Sequence, residues 1–269
     1  MDGTLLDPEG RLSAPTAAIL RQLAEGGLRI VLASGRMTAR VLPFAESLRL
    51  PLDLITYNGA VTLAGGPAAW SAIAVRGIGA EAREAIFSLC RDQGVFLNVY
   101  ANGRLYGYHS AGDFTWSAHY EKHSGATYTL KSARLEDLPV AGLEKLLVMS
   151  HPELRDRLFT EWQSPLSVHC DLTKSNPEYL EFVGKGVSKG AALSTWLEQN
   201  RILPAELLAF GDAENDLEML SLAGLGYAMS NATPGLRANY SRFTRWSHGE
   251  DGVAKELCSL YGLPFPVPT

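Results

Sequence analysis

Short apolar runs alternate with amphipathic stretches in the first and last parts of the chain. The runs at Leu28–Ala33, Leu52–Thr56 and Leu207–Phe210 are each followed within three residues by a glycine. A short apolar run that ends at a turn signal is typical of a strand buried on both faces. The stretches that follow have helical spacing, as in the segment 187–200. This alternation predicts an α/β fold with a doubly wound parallel sheet.

The middle of the chain has a different pattern. Asn102-Gly103 is a strong signal for a tight hairpin turn between two strands. Hairpins mixed with helices are typical of an α+β domain with an antiparallel sheet. We expect this domain to be inserted at 79–183 within an α/β core formed by 1–78 and 184–269. The predicted helices lie at 81–93, around Trp116 and Tyr120, and at 152–162. The predicted strands lie at 95–100, 104–108, 126–130, 145–149, 166–171 and 178–183.

Polar side chains follow the strand predicted at Leu207–Phe210. Asp212, Asn215 and Asp216 stand in the next few positions. Ligands bind outside the carboxyl ends of strands in open α/β sheets. Carboxylate and amide oxygens suit a hard cation such as Mg²⁺. The alternative is a polar turn whose acids cap the following helix, and the residues alone leave both interpretations open.

Composition removes several classes of function. The chain has 269 residues and a net charge of −5, which argues against broad affinity for nucleic acid or anionic membranes. No apolar run has the length of a membrane span, and the first residues lack a signal-peptide pattern. The three cysteines are widely spaced, as is usual for reduced thiols. We therefore expect a cytoplasmic protein, either a monomer or a homodimer.

Four separated stretches resemble the motifs of one family, the haloacid dehalogenase-like phosphatases, in their Cof-type sugar-phosphate branch. The stretches are Asp2-Gly3-Thr4-Leu5-Leu6, Ala33-Ser34-Gly35-Arg36, Gly186-Val187-Ser188-Lys189-Gly190, and Gly211-Asp212 with Asn215-Asp216. The insertion also matches the family's large α/β cap in position and size. The resemblance implies Mg²⁺-dependent hydrolysis of phosphate monoesters of small metabolites, chiefly sugar phosphates, through an aspartyl-phosphate. It further implies a cap that closes over the substrate.

The resemblance assigns a role to each matching residue. Asp2 would be the general acid and base, and Lys189 would face the phosphate beside the reacting carboxylate. The metal site would comprise Asp2 through its backbone carbonyl, Asp212 as the direct ligand, and Asp216 as an acid that orients water or Lys189. The phosphate and substrate contacts would be Ser34, Gly35, Lys189, Asn215 and Asn58.

One position departs from the family pattern. The family's first motif has a nucleophilic aspartate two positions ahead of the residue that matches Asp2, so it would stand just before Met1. We expect that aspartate, and the central strand that carries it, to lie upstream of Met1. The alternatives are a catalytically inactive protein of the same fold that binds a phosphorylated ligand, and a phosphomutase.

Overall fold

The structure is a computed structural model that describes residues 1–66 and 68–266. These residues divide into two compact units. The first unit contains Met1–Arg36, Val41–Ile73 and the chain from Ser188 onward. The second unit contains Met37–Arg40 and Ala74–Val187. No described helix has both the length and the apolar character that a membrane crossing requires.

Nine helices and twelve strands are described in these ranges. The helices are α1 Ala14–Glu25, α2 Thr38–Leu48, α3 Ala80–Gln93, α4 Thr115–Ser124, α5 Pro152–Leu166, α6 Lys189–Asn200, α7 Leu217–Leu222, α8 Pro234–Asn239 and α9 Gly252–Tyr261. The strands are β1 Val31–Ala33, β2 Asp53–Thr56, β3 Val61–Gly66, β4 Ala69–Val75, β5 Phe96–Ala101, β6 Arg104–Tyr108, β7 Tyr128–Ser132, β8 Leu143–Met149, β9 Cys170–Asn176, β10 Tyr179–Gly184, β11 Leu208–Gly211 and β12 Leu225–Ala228.

The first unit contains two sheets. One has the order β1-β2-β3-β4, with β1 parallel to β2 and β2 antiparallel to β3. The other is the parallel pair β11-β12. Strands followed by helices and paired in parallel confirm the predicted α/β fold class. The antiparallel strand β3 and its neighbour β4 were not predicted. The apolar run of β3 is cut short by Gly65-Gly66, so it is too short to show the alternation of apolar and polar residues that indicates a strand.

Helices α6 and α7 bring the two sheets into one apolar core. Leu193 and Trp196 of α6 and Met219 of α7 belong to the same buried cluster as Ile55 of β2 and Ala209 of β11. Helix α6 begins at a serine cap, where the Ser188 side chain accepts from the amide of Ala191 at 2.9 Å. The serine cap sets where α6 begins, and burial of its apolar side holds the helix in place, so both fix the position of its first turn.

The second unit is built on one six-stranded sheet. Its order is β7-β6-β5-β8-β10-β9, and all neighbours are antiparallel except the parallel pair β6-β7. Helices α3 and α5 pack on it through Ile86, Phe87, Leu158 and Trp162. The hairpin between β5 and β6 turns at Asn102-Gly103, and both residues have positive φ. This antiparallel arrangement confirms the α+β pattern predicted for the middle of the chain.

The strand predicted at 166–171 is wrong in position. Helix α5 continues through Pro165 to Leu166, and β9 begins only at Cys170. Leu158, Trp162 and Leu166 repeat every four residues and are all buried. The apolar period of the helix thus extends to Leu166 and outweighs the local effect of Pro165, which lies in the last turn, where little of the helix remains to be disrupted.

Candidate active site

Two parallel strands end at the positions that carry the predicted chemistry. Strand β1 leads into Ser34, and strand β11 leads into Asp212. The first turn of α6 contributes Lys189, which is buried. The loop before α7 contributes Asn215 and Asp216. All of these residues belong to the first unit. The strand and helix ends bring together groups from distant parts of the sequence.

Lys189 and Asp216 form a buried ion pair. The Lys189 Nζ lies 2.6 Å from Asp216 Oδ1, and both side chains are 6 % exposed. The second oxygen, Oδ2, accepts from the backbone amides of Asp212 at 2.9 Å and Ala213 at 3.2 Å. Burial raises the pKa of Asp216, but the charge and hydrogen bond of Lys189, together with the bond from the Asp212 amide and other nearby positive charge, outweigh it and hold the pKa below its usual value. Asp216 therefore positions both the lysine and the turn that carries Asp212.

Asp212 has a different environment from Asp216. Its Oδ1 accepts from the Thr4 hydroxyl at 2.5 Å. Within the described residues no lysine, arginine or histidine forms an ion pair with it. Burial raises the pKa of the Asp212 carboxyl, and the neighbouring charge of Asp216 adds to this, against the lowering effect of the Thr4 bond. Asp212 is therefore a half-buried carboxylate that, unlike Asp216, has no ion-pair partner within the described residues.

The loop at the start of the chain lies directly against Asp212. Gly3 has φ +64°, and a Cβ placed on it would stand 2.3 Å from Asp212 Oδ2. The Gly3 carbonyl accepts from Asn231 Nδ2 at 2.8 Å, and the Leu6 carbonyl contacts His248 Nδ1 at 2.8 Å. Only glycine fits at position 3, and side chains from the end of the chain hold the loop in place.

Asp2 is held by an arginine that the sequence did not place. Arg36 donates through Nε to Asp2 Oδ2 at 2.8 Å, and its Nη2 bonds to Asp2 Oδ1. Burial raises the pKa of Asp2, but the hydrogen bond and charge of Arg36 dominate and lower it. In this state Asp2 is a carboxylate that can accept a proton. The direction of the Arg36 side chain could not be predicted from the sequence, because the turn after β1 decides it.

The remaining predicted contacts lie around the turn after β1. The Ser34 hydroxyl accepts from the Arg36 amide at 3.1 Å, so its own proton remains available to a ligand. A Cβ on Gly35 would stand 2.8 Å from Asn58 Oδ1, which means that the turn packs against Asn58. Asn215 Nδ2 donates to that same Asn58 oxygen at 3.0 Å. The structure thus joins Asn58 and Asn215 in one polar cluster with the turn.

One polar atom of this cluster is buried without a partner. Asn215 Oδ1 has no hydrogen-bond partner within the described residues. A buried acceptor in this condition costs about 1–3 kcal/mol, which a ligand that donates to it would recover. The sequence predicted Asn215 as a substrate contact, and its position is consistent with that prediction. Glu218 was not predicted, yet it accepts from the Ser188 hydroxyl that begins α6.

The described residues contain no group of three His, Cys, Asp or Glu side chains close enough to hold a metal ion together. Two of the three carboxylates predicted at the metal site form ion pairs with basic side chains instead. Arg36 holds the Asp2 side chain, and Lys189 holds that of Asp216. Asp212 is the one carboxylate of the three without such a partner in the described parts of the chain. A metal at this site would take further oxygens from backbone, water or ligand.

The chain matches a known family over most of its length. Residues 1–257 match the model of the haloacid dehalogenase-like hydrolases. An "HMP-PP phosphatase" of Serratia proteamaculans is 30% identical over 238 residues, covering 88% of this chain and 84% of that protein. Among solved structures, a protein from Thermotoga maritima has a TM-score of 0.82 and 30% identity, covering 95% of this chain and 93% of its own. A haloacid dehalogenase-like hydrolase from Bacteroides thetaiotaomicron has a TM-score of 0.84 and 25% identity, covering 96% of both chains.

Proposed function

This chain belongs to the haloacid dehalogenase-like hydrolase family, and from that premise we propose that it is a phosphatase of small phosphorylated metabolites, with sugar phosphates as the main class. The observation that supports this best is that three side chains with complementary chemistry lie close to one another. A buried ammonium, a hydroxyl with a free proton and a carboxylate in need of a cation lie at adjoining strand and helix ends: Lys189, Ser34 and Asp212. Phosphoryl transfer mainly needs such positioning and charge neutralisation.

Lys189 and the turn after β1 would bind the phosphoryl group. The ammonium is fixed by its bond to Asp216 and is withdrawn from solvent, so its attraction for a phosphate is weakly screened. Ser34 can donate through its hydroxyl, and the Gly35 amide stands next to it at the end of β1. The same turn packs against Asn58, which accepts from Asn215, and this supports the proposal that the two amides contact the substrate.

Asp212 is the residue that fits a divalent cation. Its carboxylate is half-buried, lies near the charge of Asp216 and forms no ion pair among the described residues. The backbone carbonyl of Asp2 would be a second oxygen ligand, and Asp216 would orient the surroundings through Lys189. Bound Mg²⁺ would neutralise charge on the phosphoryl oxygens. We therefore propose Mg²⁺ as the cofactor.

Asp2 would move the protons of the reaction. In the proposed route the carboxylate of the family's nucleophilic aspartate attacks phosphorus to form an aspartyl-phosphate, and the ester P–O bond breaks. Asp2 gives a proton to the leaving oxygen, and later takes one from the water that hydrolyses the aspartyl-phosphate. Arg36 now holds Asp2 as a carboxylate. Proton donation by Asp2 thus requires Arg36 to loosen, and the phosphate of a substrate offers it another partner.

Phosphate release by matched variants tests this proposal. The chain would be extended by a short apolar strand that ends in aspartate, and the control would end in asparagine. The substrates would be p-nitrophenyl phosphate, hexose phosphates and HMP-PP, with and without MgCl₂. We expect Mg²⁺-dependent release of free phosphate from the aspartate variant, and loss of that release in Asp212→Asn.

Three results would contradict the proposal in different ways. Equal release by the asparagine variant would refute the aspartyl route. Tight binding of the same esters by calorimetry without release from the folded aspartate variant would favour a binding protein. Transfer of the phosphoryl group to a second sugar, with no free phosphate, would favour a phosphomutase.

A further inference from the structure

A short turn after β12 is anchored on both sides to the strand end that carries Asp212. The Met229 amide donates to the Gly211 carbonyl at 2.8 Å, and the Thr233 amide donates to the Asp212 carbonyl at 2.8 Å. Asn231 stands midway between these two bonds in the sequence. Because the backbone is held on both sides of it, the position of Asn231 is set relative to Asp212.

The Asn231 side chain joins this turn to the opening loop, residues 1–6. Its Nδ2 donates to the Gly3 carbonyl at 2.8 Å, and its Oδ1 accepts from the His248 backbone amide at 2.9 Å. A carbonyl only accepts and a backbone amide only donates, so these two partners fix the orientation of the side-chain amide. Asn231 is exposed, yet both of its polar atoms bind backbone from distant parts of the chain.

His248 makes a second bond to the same loop. Its Nδ1 lies 2.8 Å from the Leu6 carbonyl, and because a carbonyl can only accept, the imidazole donates through Nδ1. The Leu6 side chain is fully buried, which anchors that end of the loop from within. Asn231 and His248 therefore hold the loop at two points, Gly3 and Leu6.

The loop also contacts the Asp212 carboxylate directly. The Thr4 hydroxyl donates to Oδ1 at 2.5 Å, and a Cβ on Gly3 would stand 2.3 Å from Oδ2. The loop is thus held twice relative to one strand end, at the carboxylate through Thr4 and at the backbone through Asn231. The Asp2 carbonyl, one residue ahead of Gly3, belongs to the loop that these bonds hold.

We propose that Asn231 and His248 are positioning residues, which hold the opening loop so that the Asp2 carbonyl stays at a fixed place beside the Asp212 carboxylate. Each acts through the backbone carbonyl that it binds. Partners that orient metal ligands in this way typically contribute ten- to a hundredfold to metal affinity. The consequence for Mg²⁺ affinity rests on the proposed function, whereas the order of the loop does not.

Two pairs of variants test the proposal. Asn231→Ala removes one bond to the loop, and its matched control is Asn239→Ala. Asn239 is also exposed, and its Nδ2 donates to the Gly235 carbonyl at 2.9 Å, so the control removes a bond of the same kind and length from α8. His248→Ala removes the other bond to the loop. His248→Asn is its conservative partner, because the amide nitrogen of asparagine can donate from nearly the place of the imidazole Nδ1.

Amide hydrogen exchange without metal measures the order of the loop. The Leu5 and Leu6 amides both donate to the Met1 carbonyl at 2.9 Å, so their exchange reports opening of the loop itself. The Ser34 amide, which donates to Ile55 at 2.8 Å, is the reference, because it reports on β1 and β2 and not on the loop.

We expect Asn231→Ala and His248→Ala to speed exchange of the Leu5 and Leu6 amides about tenfold, which is the usual effect of losing one hydrogen bond, while the reference amide changes little. Asn239→Ala and His248→Asn should change the loop exchange by less than about twofold. Equal effects of Asn231→Ala and Asn239→Ala, or faster exchange at the reference amide as well, would overturn the proposal.

Calorimetric titration with MgCl₂ alone measures the consequence for the metal site. We expect the same two alanine variants, Asn231→Ala and His248→Ala, to weaken Mg²⁺ binding about tenfold, and the two control variants to weaken it by less than about twofold. Faster loop exchange with unchanged Mg²⁺ affinity would overturn the role of the two residues at the metal site. If the wild type itself binds no Mg²⁺, the metal assignment of the proposed function fails, and the exchange experiment then decides the positioning of the loop by itself.

Discussion

The buried pair of Lys189 and Asp216 allows a prediction that separates two effects on the stability of an ion pair: the burial of its side chains and its N···O distance. We expect Lys189→Met to lower the free energy of unfolding by about 3–5 kcal/mol, because it leaves the Asp216 carboxylate buried without its cation. For a protein of this size that loss corresponds to a fall in Tm of roughly 6–20 °C. Urea unfolding followed by circular dichroism measures the difference, with the m-value as a check on the unfolded state.

The chain contains a matched control for this prediction. Lys185 Nζ lies 2.6 Å from Asp171 Oδ1, the same distance as in the buried pair, but the two side chains are 55% and 37% exposed. Lys185→Met should therefore cost at most about 1 kcal/mol. Because the N···O distance is the same in both pairs, the comparison isolates the effect of burial.

A double variant completes the cycle. Lys189→Met with Asp216→Asn removes both charges, and the amide oxygen of the asparagine can still accept from the backbone amides of Asp212 and Ala213. We expect it to be more stable than Lys189→Met alone by at least about 1 kcal/mol, which is a coupling of the usual size for a contacting pair. The assignment of a buried, mutually neutralising pair is refuted if Lys189→Met costs no more than Lys185→Met. It is also refuted if the losses in unfolding free energy of Lys189→Met and Asp216→Asn, measured singly, simply add in the double variant.

Three further predictions concern other parts of the molecule. Gly3→Ala should lower the free energy of unfolding in urea by about 2 kcal/mol or more, because the new Cβ would clash with Asp212 and the backbone would also be strained by its positive φ. Gly10→Ala is the control: Gly10 has φ +75° but open space around it, so this variant should show the backbone strain alone. Millimolar MgCl₂ should raise the Tm of the wild type and leave Asp212→Asn unchanged, since a ligand that binds the folded state stabilises it; equal shifts would refute the metal assignment. Burial raises the pKa of Glu144, and its Oε2 has no partner within the described residues. A carboxyl with a raised folded pKa loses stability as pH rises through that pKa, so Glu144→Gln should gain on the order of 1 kcal/mol over wild type at pH 8 and lose that advantage near pH 4.

The strand ends that build the candidate site could be predicted from the sequence for a simple reason. Each apolar run is followed at once by its polar residues, and parallel strands bring their carboxyl ends to one edge. Ser34 and Asp212 therefore fall where the pattern placed them. The roles proposed for them, and for Asn58, Asn215 and Asp2, stay predictions until ligands are measured.

The partnerships between these residues could not be predicted in the same way. The family resemblance implied that Asp216 orients Lys189, but the residue pattern alone did not, because the two stand 27 positions apart and meet only because α6 and α7 share one apolar core. The bond from Arg36 to Asp2 depends on a turn whose side-chain direction has no sequence signature. The position of β9 was missed because the buried period of α5 runs past Pro165. In each case long-range packing decides between local alternatives of similar energy.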